Sequence, residues 1–122
     1  MTLGPAVPLL RSFDEARTRA FYVDYLGFTV DWEHRFEDGL PLYMQLSRDG
    51  CVLHLTEHHG DCTPGAALRI AVADIDAFAA DLARRHHPGA RPHIETMPWG
   101  TRDLRVTDPH GNQLVFTNAI SV

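Results

Sequence analysis

Two stretches of the chain, RDGCVLHLT at residues 48–56 and PHGNQLVFT at residues 109–117, are similar to each other and decide the fold. The matching residues lie 61 positions apart, which is half of the 122-residue chain: Gly50 with Gly111, Leu53 with Leu114, and Thr56 with Thr117. Similarity at a fixed spacing indicates an internal repeat. We therefore predict a tandem duplication, and the order of helix and strand patterns in each half tests it.

The first half reads as a strand, a helix and three further strands. The strand-like segment 6–13 leads into a helix, where Ser12 and Glu15 have the spacing of a capping box and Gly27 marks the end. The apolar stripe of this helix is Phe13, Ala16, Ala20 and Phe21. Strand-like segments follow at 28–36, 42–47 and 51–58, and the turn Arg48-Asp49-Gly50 joins the last two as a hairpin.

The second half repeats this order. Residues 67–74 are strand-like, and apolar residues then recur at helical spacing until Pro88-Gly89. They are Ile75, Phe78, Ala79, Leu82, Ala83 and His86. Strand-like segments complete the set at 93–97, 103–107 and 113–117. We predict an α+β fold with two tandem βαβββ modules, at about 5–60 and 66–120, in one domain spanning residues 1–122.

Composition narrows the classes of function. The formal net charge is −5, which argues against nucleic-acid binding because that requires clustered Lys and Arg. No segment is long and apolar enough to span a membrane, and charged residues interrupt the first 25 positions. We therefore expect a cytoplasmic protein without a membrane partner. Cys51 and Cys62 are too few for a disulfide framework and are expected to be reduced thiols.

Three motifs resemble the vicinal oxygen chelate superfamily, which includes glyoxalase, extradiol dioxygenase and bleomycin-resistance proteins. They are AVPLL (6–10), AFYVDYLGF (20–28) and MPWGTRDLRVTDPHGNQLVF (97–116). PWG followed by DPHGN resembles the bleomycin-resistance branch, in which similar proteins bind a drug without altering it. The resemblance implies a homodimer with exchanged strands, in which the curved sheets line two clefts at the subunit interface.

The resemblance also implies four positions that hold a metal in other members. They correspond here to Val7, His54, Leu68 and Val115. Val and Leu side chains have no lone pair for a metal, and one histidine is too few for a closed site. We therefore expect neither a metal nor another cofactor, and we expect Val7, Leu68 and Val115 to give the cleft an apolar floor.

The stretch LHLTEHHGDC at 53–62 is rich in potential metal ligands. His54 and His58 would lie about 13 Å apart along one strand face, too far to share an ion unless the strand ends and bends before His58. Glu57, His59 and Asp61 remain a weaker possibility for a loose chelate. A solvated or ligand-facing strand end is the simpler interpretation.

The candidate ligand-binding residues are aromatic or polar side chains at the expected cleft: Trp32, Phe36, Tyr43, His54, His58, Leu68, Trp99 and Arg102. Each has an ordinary structural alternative, such as a core position for Trp32 or a surface ion pair for Arg102. No catalytic residues are assigned, because no nucleophile and base pair is readable. Cys62 is an alternative reactive thiol if a nearby histidine lowers its pKa.

The first hypothesis for function is a homodimeric, metal-free protein that sequesters a bleomycin-type or other aromatic or cationic antibiotic. The alternative is a metal-dependent lyase, dioxygenase or thiol transferase with a rearranged site around His54, His58 and Glu57. A protein of this fold that binds another metabolite is a third possibility.

Overall fold

The computed structural model describes residues 1–88 and 90–119. Each half of the chain forms one four-stranded sheet. The first sheet contains β1 (Leu9–Arg11), β2 (Thr29–His34), β3 (Tyr43–Arg48) and β4 (Cys51–Thr56) in the order β1-β4-β3-β2. The second contains β5 (Ala67–Ala71), β6 (Ile94–Thr96), β7 (Thr101–Thr107) and β8 (Gln113–Ala119) in the order β5-β8-β7-β6. The predicted α+β fold of two tandem βαβββ modules is confirmed.

The strand pairing is the same in both modules. The first strand of each module pairs in parallel with its last strand, and the other pairs are antiparallel. A parallel pair requires a long crossover connection, which here contains the helix and two strands. Within the described residues, no helix has the length and apolar character needed to cross a bilayer. The predicted ends of the second module and of the domain, at residues 120 and 122, lie outside the described residues, as does Gly89.

The first helix begins later than the sequence predicted. Helix α1 (Glu15–Thr18) continues directly as a π-helical segment, Arg19–Tyr25. Its N-cap is Asp14, whose carboxylate accepts a hydrogen bond from the Arg17 amide at 2.9 Å. Ser12 was the wrong cap: its hydroxyl lies 2.7 Å from the Thr18 hydroxyl in the interior, so it is not available to the helix amides.

The buried side of this helix also differs from the predicted stripe. Phe13 precedes the helix and is 65% exposed, and Ala16 is exposed. The buried residues are instead Thr18, Phe21, Tyr22 and Tyr25. The later start and the wider π-helical turn shift the buried side toward the C-terminal half of the helix. Gly27 follows this helix with a φ of 76°, a conformation that favours glycine, as predicted.

The second helix is the regular counterpart of the first. Helix α2 (Ile75–Arg85) begins at Asp74, whose carboxylate accepts a hydrogen bond from the Ala77 amide at 3.1 Å. Ile75 and Leu82 are buried, so the predicted helical stripe is confirmed. His86 lies just beyond the helix, where it occupies the C-cap position.

One hydrophobic core joins the two modules, and the helices pack on one face of each sheet. Leu53 and Leu55 of β4 are buried in it, as are the corresponding Leu114 and Phe116 of β8. Side chains alternate between faces along a strand. His54 and Val115 therefore belong to the opposite faces of the two sheets, which we call the open faces.

The two modules do not share one constant offset. The hairpin strands match at 61 residues, but the N-caps Asp14 and Asp74 lie 60 residues apart. Strand register agrees, because Leu9 of β1 pairs with His54 whereas Arg69 of β5 pairs with Val115. The second module therefore contains one more residue between its helix cap and its hairpin.

Candidate functional site

The open face of the first sheet presents a row of large side chains. Trp32 of β2 is the register partner of Gln45 in β3, Gln45 pairs with His54 in β4, and His54 pairs with Leu9 in β1. Paired residues on neighbouring strands point to the same face. The next row on this face contains His34 and Tyr43, which are also register partners.

Three rings form a compact cluster on this face. The Trp32 and Tyr43 rings are stacked, with centroids 5.8 Å apart and planes inclined by 6°. The His54 ring meets both edge-on, at 5.4 Å from Trp32 and 5.2 Å from Tyr43. Trp32 remains 45% exposed. The cluster thus fixes the orientation of an indole ring that is still accessible to a ligand.

Both ring nitrogens of His54 have hydrogen-bond partners. The Gln45 Oε1 atom accepts from Nε2 at 2.9 Å, and the Tyr43 hydroxyl lies 2.6 Å from Nδ1. This network favours the neutral tautomer with the proton on Nε2, in which Nδ1 accepts from the tyrosine. Neither nitrogen has a free lone pair directed at a metal. His54 is therefore built into the wall of the site.

A groove of about 370 Å³ lies beside this cluster. It is lined by Trp32, His34, Phe36, Tyr43, His58 and Asp61. Phe36 is 74% exposed and meets the rings of His34 and His58 edge-on. Strand β4 ends at Thr56, so the chain bends before His58 and brings its ring to 6.4 Å from that of Tyr43. Five of the predicted ligand-binding residues thus occur together: Trp32, Phe36, Tyr43, His54 and His58.

The carboxylates near the groove have structural partners. Asp61 accepts a hydrogen bond from the Thr56 hydroxyl at 2.8 Å, and Glu57 accepts one from the Leu42 amide at 2.8 Å. Within residues 1–88 and 90–119, no three His, Cys, Asp or Glu side chains are grouped so that they could hold a metal ion. The geometry therefore gives no support to the rearranged metal site around His54, His58 and Glu57.

The open face of the second sheet has a different chemistry. Arg69, Val115 and Arg105 form one row in register across β5, β8 and β7. Arg69 donates hydrogen bonds to the Asp103 carboxylate at 3.3 Å and to the Thr117 hydroxyl at 3.1 Å. This face is therefore ionic where the first is aromatic.

The prediction that Leu68 faces the cleft floor is wrong. Leu68 is the register partner of Leu114 and packs against the hydrophobic core, so Arg69 occupies the open-face position beside Val115. The error came from applying the hairpin offset of 61 to the first strand, where the offset is 60. A one-residue shift along a strand moves a side chain to the opposite face.

Trp99 and Arg102 lie in the second module and do not line the first-module groove. Trp99 is 63% exposed in the turn between β6 and β7, where the Gly100 amide donates to the Met97 carbonyl. Arg102 forms a two-point ion pair with Asp76 at 2.8 and 3.0 Å. Hydrogen bonding to that carboxylate raises the pKa of Arg102 and lowers the pKa of Asp76.

A second, larger groove of about 760 Å³ lies where the two modules meet. Gln45 and Val52 line it from the first sheet and Arg69 lines it from the second, with the segment from Pro5 to Pro8 along one side. Val7 borders this groove and is partly exposed. Residues from both open faces therefore line one continuous depression.

The two thiols are poorly suited to nucleophilic chemistry. Burial raises the pKa of Cys62, and the Arg11 guanidinium only partly opposes this effect. Burial also raises the pKa of Cys51. Because the thiolate is the reactive form, the structure does not support the suggestion that a histidine activates Cys62.

Sequence reasoning missed three residues of this site. Gln45 lies two positions after Tyr43 on the same strand, so strand alternation could have placed it on the open face. His34 follows from Trp32 by the same rule. Asp61 could not be found in this way, because a loop brings it to the groove.

The sequence profile of a family described as glyoxalase superfamily protein matches residues 1–121 of the chain. The chain belongs to the glyoxalase superfamily. No curated protein matches it significantly.

Several superfamily members of known structure are similar over nearly the whole chain. A bleomycin-binding protein, solved in complex with bleomycin, is 25% identical, with a TM-score of 0.71 over 95% of this chain and 98% of that chain. A bleomycin resistance determinant encoded on transposon Tn5 is also 25% identical, with a TM-score of 0.73 over 96% of this chain and 98% of that chain. An antibiotic-binding protein from a Streptomyces species shares the fold, with 23% identity and a TM-score of 0.74 over 98% of each chain.

Proposed function

We propose that this glyoxalase-superfamily protein is a homodimer that binds and sequesters an aromatic antibiotic of the bleomycin type without altering it. The observation that carries the proposal is the exposed Trp32 ring, stacked on Tyr43 and braced by His54 above an open groove. The similarity to a bleomycin-binding protein and to a bleomycin resistance determinant supports the same ligand class.

The first-module groove has the character of a site for planar rings. Trp32, Tyr43 and Phe36 offer aromatic surface, and stacking contacts of this kind contribute about 0.5–1.5 kcal/mol each beyond area burial. Pre-formed stacking reduces the ordering cost of binding, because Trp32 is already held between the Tyr43 face and the His54 edge. Asp61 adds a carboxylate at the rim that suits a cationic group on the ligand.

A second subunit would complete the site. At about 370 Å³ the groove lies at the small end of the range for drug-sized ligands, and Trp32 and Phe36 on its walls are exposed. Trp99 and Arg102 do not line it in the same chain. In the proposed dimer they line the groove of the other subunit.

Sequestration rather than turnover is favoured by the chemistry of the wall. General acid–base catalysis requires a group that can exchange a proton with the substrate. His54 has both nitrogens engaged within the wall, and the thiol form of Cys62 is favoured by burial. Affinity and abundance are sufficient for a sequestering protein.

The test is a calorimetric titration of chelator-treated protein with bleomycin. We expect saturable binding near one drug per subunit, and recovery of the drug unchanged by mass. Trp32→Ala should weaken binding by about tenfold or more, because the variant loses both stacking and apolar burial. Phe13→Ala is the matched control, since Phe13 is also a largely exposed aromatic residue but lies outside the groove.

Three results would contradict the proposal. They are equal loss of affinity in both variants, conversion of the drug, and a requirement for stoichiometric metal that is lost in His54→Ala. The dimer is tested separately by light scattering at micromolar concentration, where a monomer would leave the groove without its second wall. Trp99→Ala then tests whether the neighbouring subunit contacts the drug.

A further inference from the structure

Arg11 is a buried cation at the end of β1. It is only 4% exposed, and its guanidinium donates to three main-chain carbonyl oxygens. The acceptors are Thr56 at 3.2 Å, His59 at 3.2 Å and Cys62. In the described part of the chain, no carboxylate forms an ion pair with it. Burying a charge is costly unless its hydrogen bonds are satisfied, so these carbonyls account for its position.

The three carbonyls belong to the end of β4 and to the loop that follows it. This loop also contains His58 and Asp61, two of the residues that line the first-module groove. Internal bonds give it a fixed shape: the His58 amide donates to the Thr56 hydroxyl at 3.1 Å, and the Asp61 amide donates to the His58 carbonyl at 3.2 Å. Arg11 therefore connects β1 to one wall of the groove.

The second module fixes Arg11 from the other side. The Asn112 side-chain amide donates to the Arg11 carbonyl at 3.0 Å, and His110 Nδ1 accepts from the Phe13 amide at 3.1 Å. His110 and Asn112 belong to the DPHGN turn at residues 108–112, and both side chains are buried. The turn of one module thus anchors the segment that holds the groove loop of the other.

We propose that Arg11 is a positioning residue for the ligand site. Its guanidinium holds the loop from Glu57 to Cys62 in the conformation that places His58 and Asp61 against the aromatic cluster. The effect of this clasp on drug affinity rests on the proposed function. The clasp itself does not, so the two are measured by different readouts.

The first readout is the reaction rate of Cys62 with a thiol reagent, measured without ligand in a Cys51→Ser background. Cys62 is partly covered, and its carbonyl is one of the three acceptors. We expect Arg11→Gln to raise the rate at least about tenfold, because an amide cannot reach all three carbonyls with the same charge. Arg11→Lys should restore part of the protection, since an ammonium has three donors.

Arg48→Gln is the matched control variant. Arg48 also donates to a main-chain carbonyl, that of Leu26 at 2.6 Å, but it lies away from the loop and contacts Asp81. Its loss lowers stability without releasing Cys62. An equal rise in the Cys62 rate in Arg11→Gln and Arg48→Gln, or no rise in Arg11→Gln, would overturn the clasp. Circular dichroism of each variant confirms that it is folded.

The second readout is bleomycin affinity by calorimetry. We expect an approximately tenfold loss in Arg11→Gln, a smaller loss in Arg11→Lys, and none in Arg48→Gln. Unchanged affinity with a released Cys62 would overturn the positioning role. If the unmodified protein binds no bleomycin, the proposed function fails, and the Cys62 rates alone then decide whether Arg11 holds the loop.

Discussion

The two modules share one architecture but have different open faces. In the first module the row across the sheet is Trp32, Gln45, His54 and Leu9, and in the second module the corresponding row contains Arg105, Val115 and Arg69. The first row surrounds a stacked pair of aromatic rings, and the second is held by an ion pair between Arg69 and Asp103. The same backbone therefore supports either kind of surface.

The hairpin turns of the two modules differ in the opposite sense. The first turn, Arg48-Asp49-Gly50, is exposed at Asp49. The second turn is buried at Asp108, His110 and Asn112. The comparison indicates that the first module supplies ring-binding surface while the turn of the second module supplies structural support.

The largest expected effect is on stability, from Asp108→Asn. Asp108 accepts hydrogen bonds from the Tyr22 hydroxyl at 2.6 Å, from the amides of His110 and Asn112, and from the Asn112 side chain. An amide in its place opposes one donor with another, so we expect a loss of about 2–4 kcal/mol in the free energy of unfolding. Urea denaturation measures it.

Asp49→Asn is the control for this prediction, because it changes the same group in the exposed turn. We expect a change within about 0.5 kcal/mol. Similar losses in the two variants would remove the distinction between a supporting turn and an exposed one.

An intermediate effect is expected for Leu68→Ala. Leu68 packs against the core, whereas Leu9 is partly exposed on the open face. We expect a loss of about 1–3 kcal/mol for Leu68→Ala and less than about 1 kcal/mol for Leu9→Ala, because only the first leaves a cavity in the core. Equal losses would contradict the assigned strand faces, and thermal denaturation of both variants decides it.

The smallest effect is a pH dependence from His110. Burial lowers the pKa of His110 below its ordinary value of 6.5, although the carboxylates of Asp108, Asp14 and Glu57 act in the opposite direction. Arg17 reinforces the lowering. Because the folded state disfavours the protonated ring, its contribution to stability is complete above pH 6.5 and decreases as the pH falls through the folded pKa.

Chemical denaturation between pH 5 and pH 8 measures this dependence. His110 Nδ1 accepts the Phe13 amide, and protonation would place two N–H groups against each other. His110→Gln keeps an acceptor but does not titrate, so its stability should vary less over this range. The same slope in both proteins would assign the pH dependence to other groups.

Most of the fold could be predicted from the sequence, because strand alternation and helical spacing are local signals. The two βαβββ modules, α2 and the aromatic character of the first open face all follow from such patterns. The start of α1 did not, since Ser12 and Asp14 are both good N-caps and only burial of the Ser12 hydroxyl decides between them.

The remaining errors have a tertiary origin. Leu68 was assigned to the wrong face because one residue separates the offset of the strands from that of the hairpins, and hairpin similarity alone carries no information about the first strand. The clasp at Arg11 leaves no sequence signal, because its acceptors are main-chain carbonyls that any residue supplies.

The stacked pair of Trp32 and Tyr43 has a spectroscopic consequence. Trp32 is one of two tryptophans in the chain, and its ring lies 5.8 Å from the tyrosine ring and nearly parallel to it. At this separation, excitation absorbed by Tyr43 passes to Trp32, and coupled transitions of the two rings give a circular dichroism signal in the near ultraviolet. The protein therefore contains an intrinsic optical reporter of the first open face, and Trp99 supplies a second emitter outside that groove for comparison.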